Sequence, residues 1–221
     1  MSLHEFYGSY YQQPLLLALP SFAFLAWLGY AAWAANHRGD LPEDVAPRLS
    51  HHGWLWRYLV VFTAASILDA FLTAPSGPGG TALTVFFVWL GDYKAFAFLT
   101  RERRKSRPWL RALAWSAIVP ILSGVAEHYG VGGRRIFLTY ELFFLATWTI
   151  FVAVERLPSR LTGFTYAYYS MWALADIWLL ARGEDLTTPW ALRIVANVMY
   201  YAAWTPWVYS VARPSNASRT T

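Results

Sequence analysis

No cysteine occurs in the chain, which excludes disulfides, thiol nucleophiles and thiolate-bound metals. Lysine is almost missing, with only Lys94 and Lys105. Charged residues of both signs make up 14% of the chain, against about a quarter in soluble domains. There is no Gly-rich phosphate loop, no His-Glu-x-x-His and no Gly-x-Ser-x-Gly. No two histidines fall in facing positions that would hold a b-type haem. The sequence therefore nominates no catalytic residue, no metal ligand set and no cofactor.

What the chain has instead is apolar. Hydrophobic residues reach 57% and aromatics 19%, with Trp and Tyr of the kind that gather at bilayer interfaces. The net charge is +5, but the basic residues sit between apolar runs. That placement reads as membrane topology rather than nucleic-acid binding. Few lysines beside many arginines and alanines suggest a GC-rich bacterial genome. Met1 to Gln13 carries no basic residue and does not read as a signal peptide.

Seven runs are readable, at about 14–35, 57–74, 81–100, 109–129, 136–154, 162–181 and 190–211. Each is close to the roughly 20 residues that cross about 30 Å of hydrocarbon as a helix. The expected fold is all-α: one polytopic seven-helix domain spanning 1–221. Gly and Pro mark the joints, and Pro120 and Pro206 should kink the fourth and seventh helices. The basic joint Arg101-Glu102-Arg103-Arg104-Lys105 points to the cytoplasm, with Arg38, Arg48, Arg156, Arg160, Arg213 and Arg219 on the same side by parity. The expectation is an integral protein of a bacterial cytoplasmic membrane, N-terminus out and C-terminus in. The longest loop holds His37, Asp40, Glu43, Asp44, His51 and His52, in no spacing that matches a known metal site.

An internal echo runs through the chain. Asp69 and Asp176 both head the pattern Asp-x-x-Leu-x-Ala. Phe24-Leu25-Ala26 matches Phe144-Leu145-Ala146, and Ala82-Leu83 matches Ala191-Leu192. The order is the same, so a parallel 3+1+3 repeat is expected, which is a transporter device. Phe62-Thr63-Ala64 followed by Leu68-Asp69-Ala70-Phe71 is similar to the second helix of the KDEL receptor. In length and plan the chain resembles the SWEET, PQ-loop and KDEL-receptor proteins. It lacks their Pro-Gln pairs and a mid-membrane Arg, so the resemblance implies architecture and carries over no functional residue. Microbial rhodopsins share the helix count, but no Lys in the seventh run could form a retinal Schiff base.

A carboxylate in a spanning helix costs at least ~2.5 kcal/mol on insertion scales and is functional by default. Asp69, Asp92, Glu141, Asp176 and Asn197 lie within the runs, and Arg193 is the cation expected to reach them from the outer end. Asp69, Glu141, Asp176 and Asn197 all fall in the outer half. Several carboxylates in low dielectric cannot all ionise without protons or cations nearby. Asp92 and Lys94, two apart, should point to different faces. His128 beside Glu127 is a possible relay or a solvated helix end. The first expectation is a small-solute transporter or ligand-binding receptor with an acidic outer cavity, its partners the bilayer and a cationic or proton-coupled small molecule. The alternatives are a membrane enzyme acting on a lipid or isoprenoid with carboxylate acid and base, and an accessory subunit of a larger complex.

Overall fold

The computed structural model describes residues 3–7, 13–37, 53–72, 78–103, 106–183 and 187–212. Most of the loop histidines and acids named above, Arg104-Lys105, Glu184-Asp185 and the C-terminal arginines lie outside them. The described residues are helical: α1 (Leu3–Phe6), α2 (Pro14–His37), α3 (Trp54–Leu72), α4 (Pro78–Glu102), α5 (Pro108–His128), α6 (Arg134–Glu155), α7 (Ser159–Arg182), α8 (Thr187–Asn197) and α9 (Trp204–Val211). A π-helical segment, Val198–Ala203, joins the last two.

Five helices are long and apolar enough to cross a membrane: those holding Pro14–Ala34, Trp54–Leu72, Leu83–Glu102, Pro108–His128 and Arg134–Glu155. They expose large apolar side chains such as Leu15, Leu19, Ile121, Val125 and Val154, a surface that suits lipid and not water. α7 is as long, at 24 residues, but mixes Arg160, Tyr166, Tyr168, Tyr169 and Asp176 into its apolar run. The seventh run is not one regular helix as expected, because the π segment divides it. Pro206 supplies the reason. Its ring would clash with the carbonyl four residues back, and it has no N–H to give. Widening the turn before α9 relieves the clash.

Consecutive helices pack side by side from α2 to α8, and the π segment and α9 return to α2 and α3. The helices thus close into a ring, with α1 resting on α8. The second half of α4 lies innermost. From Gly91 to Thr100 every residue except the half-buried Tyr93 is buried. A stretch covered all round has no face for solvent or lipid, so its polar groups need protein partners.

Candidate functional site

Two groups of buried polar side chains are built around α4 and around α7. On α4, Asp92 is fully buried and accepts from the hydroxyls of Tyr140 on α6 and Tyr169 on α7. The Tyr169 ring stacks on Phe144 at 3.6 Å, which fixes its direction. One turn earlier, the Trp89 indole donates to Ser116 of α5 at 3.1 Å. Asp92 therefore ties α4 to α6 and α7, and its oxygens are occupied.

Lys94 turns the other way, as two positions of a helix must. It is 2% exposed and does not snorkel to an interface. Its ammonium donates to the Tyr200 carbonyl at 3.1 Å and lies 3.6 Å from the Tyr200 ring centroid. A lysine over an aromatic face gains a cation–π attraction that partly replaces lost water. Tyr58 donates to the Lys94 carbonyl at 2.7 Å and accepts from the Trp204 indole at 3.1 Å. Gly91 makes this possible: a Cβ there would overlap the Tyr200 hydroxyl. Between α3 and α4 runs a crevice holding about 10 Å³, room for roughly one water. Phe62, Ser66 and Asp69 line one wall, Phe87, Gly91 and Lys94 the other, and Tyr200 the floor.

The second group lies at the end of the bundle where α6 and α8 begin and α7 ends. Asp176 is fully buried, and its Oδ1 accepts from Arg193 of α8 and from Arg134 of α6, the latter at 3.2 Å. Arg134 also lies 5.4 Å from the Trp190 ring. Glu141, 7% exposed, sits within electrostatic reach of Asp176, Arg193 and Arg134. Asn197 accepts from the Trp172 indole at 2.8 Å and donates to the Tyr7 hydroxyl at 3.0 Å. Tyr7 in turn packs on Trp190, with ring centroids 5.0 Å apart, and bonds to Arg193. Three buried atoms in this group have no hydrogen-bond partner: Glu141 Oε2, Asp176 Oδ2 and Arg193 Nε.

The residues singled out in the sequence thus divide. Asp176, Glu141, Asn197 and Arg193 come together, Asp69 shares a crevice with Lys94, and Asp92 is enclosed by tyrosines. Arg193 is not the only cation at Asp176, since Arg134 reaches it too. Arg134 opens α6 and reads as a loop charge in the sequence; the signal available was a basic residue entering a spanning helix beside carboxylates. Tyr7 and Tyr140 carry no sequence signal of their own. His128 is exposed at the end of α5, with its ring against Tyr129, 5.5 Å between centroids. Among the described residues no three His, Cys, Asp or Glu form a group able to hold a metal ion. No known family, curated protein or solved structure matches the chain.

Proposed function

We propose that the protein crosses a bacterial cytoplasmic membrane seven times, N-terminus out and C-terminus in, and acts as a small-solute transporter or ligand-binding receptor. The observation that carries this reading is the set of unpaired atoms around Asp176. A buried donor or acceptor left unmade costs about 1–3 kcal/mol, so three in one group need an occupant. Glu141 and Asp176 offer acceptors and Arg193 Nε offers a donor. The fitting solute therefore bears both N–H or O–H donors and an acceptor. A small zwitterion or polyol has that pattern. On the proposed orientation the site lies in the outer half of the bilayer, roofed by Tyr7.

The 3+1+3 plan is part of the proposal. In each half the aspartate of the middle helix lies near a base of the next, Lys94 for Asp69 and Arg193 for Asp176. The two bases sit at different distances from their helix starts, so superposition of α2–α4 on α6–α9 is the test, with the two aspartate Cα atoms expected to coincide.

The functional test is a melting screen of the protein in lipid nanodiscs against neutral and zwitterionic solutes. The expected result is stabilisation that disappears in Glu141→Gln. Solutes that stabilise wild type and variant alike put the site elsewhere.

A second reading has its own observation. The α3–α4 crevice sets Asp69 and Lys94 among Phe62, Phe87 and Leu90. An acid and a base in an apolar slot suit an enzyme acting on a lipid or isoprenoid. Stabilisation by lipid-like molecules alone, lost in Asp69→Asn, would favour it.

A further inference from the structure

We propose that α1 is a lid on the Glu141, Asp176 and Arg193 group, and that Tyr7 holds it shut as a built-in stand-in for the solute. This rests on the solute reading above and adds the way in and the direction in which the solute lies.

The three unpaired atoms of the group are buried, so nothing reaches them until some part of the wall moves. The helices from α2 to α8 are packed side by side in the ring, and shifting one would open its seams with its neighbours. α1 stands outside that ring, against α8. It is about one turn long, and a helix so short keeps its shape only through what its side chains touch. Tyr7 anchors it and is 6% exposed. The Tyr7 ring joins Trp190 and Leu179 in a small apolar cluster apart from the main core, with Leu3 and Ile194 packed against it. The Tyr7 hydroxyl accepts from the Asn197 amide at 3.0 Å and from Arg193. Trp190 also lies 5.4 Å from Arg134, so one indole faces both the lid and the second arginine of the site.

Withdrawing Tyr7 does two things. It opens the α8 side of the group, and it frees donors on Arg193 and Asn197 beside the unpaired Arg193 Nε. These donors share α8 and lie about one turn apart. The unpaired acceptors, Glu141 Oε2 and Asp176 Oδ2, belong to α6 and α7. A solute that replaces the Tyr7 hydroxyl therefore turns acceptor oxygens, such as a carboxylate, to α8 and its N–H or O–H donors to α6 and α7. The closed lid and the bound solute satisfy the same donors of Arg193 and Asn197, so exchanging one for the other leaves neither unmade.

The chain has no cysteine, so a single introduced thiol reports on its own site. Glu141→Cys in lipid nanodiscs is treated with a membrane-impermeant methanethiosulfonate bearing a sulfonate, and the rate of labelling is read by intact mass. Thr147→Cys, 4% exposed and further along α6, is the control for openings elsewhere. Tyr7→Phe keeps the ring and removes the hydroxyl, and should speed labelling of Glu141→Cys by about tenfold. Tyr7→Ala should speed it by about a hundredfold, and the Thr147→Cys rate should move with neither. If Glu141→Cys does not fold, Leu179→Cys, buried beside Tyr7, is the reporter. Labelling that ignores both Tyr7 changes, or a Thr147→Cys rate that rises as much as the reporter's, overturns the proposal. These rates need no solute, so an absent lid and an empty site are told apart.

Discussion

Arg193 on α8 reaches into the bundle to the carboxylate of Asp176 on α7, and the same oxygen also takes Arg134 from α6. One atom therefore joins three helices. Asp176 is wholly buried, and the two arginine side chains are 17% and 24% exposed. Such a cluster contributes little beyond its desolvation cost when whole, but breaking it leaves charge without a partner.

Asp176→Asn strands both guanidinium groups and should cost roughly 3–5 kcal/mol. Arg111→Met is the control. Its pair with Glu155, at 3.3 Å, joins an arginine side chain 46% exposed to a carboxylate 7% exposed, and its loss should cost about 1–3 kcal/mol, less than Asp176→Asn because the arginine is half in solvent. Thermal melting of both variants in the same detergent checks the contrast. Equal losses would mean that the Asp176 cluster is as wet as the Arg111–Glu155 pair.

Tyr140→Phe and Tyr169→Phe each remove one donor from Asp92 and should each cost about 1.5–3 kcal/mol. Together they leave a carboxylate in a dry core with no donor. The double variant should be worse than the sum of the singles by about 0.5–3 kcal/mol, read from a thermodynamic cycle of denaturant midpoints. Strict additivity would show that water reaches Asp92.

Gly91→Ala should destabilise by roughly 1–3 kcal/mol, since its methyl would occupy the place of the Tyr200 hydroxyl. Tyr200→Phe removes the hydroxyl but leaves ring carbons that the Cβ would meet at 2.5 and 2.7 Å, so the double variant should recover only a small part of the loss. Unfolding curves of the three variants check this. A neutral Gly91→Ala would mean that α4 and the π segment do not approach as closely as Gly91 allows.

Helix placement was largely legible, because long apolar runs between Gly and Pro joints have few other solutions. The break in the seventh run was half legible. Pro206 announces an irregularity at that place, and the helix takes it up as a π turn where a kink was expected. The burial of α4 was not legible, because Ala95-Phe96-Ala97-Phe98-Leu99 is apolar all round and would suit lipid as well as protein. The pairing of carboxylates was not legible, because it depends on which helices are neighbours. Asp69 and Asp176 look alike in sequence, yet one lies across from a lysine and the other between two arginines. Arg134 was hidden by its place at a helix start, where a charge normally meets solvent.

The proposed orientation rests on the basic joint after α4. A reporter active only in the cytoplasm, fused after Thr221, should be active, and one fused before Met1 should be silent. The reverse pattern would invert the membrane and place the Asp176 cluster in the inner half.

The central claim is that the Glu141, Asp176 and Arg193 group takes a polar ligand, and an experimental density map of the protein in lipid nanodiscs tests it most directly. The account predicts non-protein density within hydrogen-bond reach of Glu141 Oε2, Asp176 Oδ2 and Arg193 Nε. A dry cluster, with Glu141 bonded directly to Arg193 and no density between the carboxylates, would contradict it.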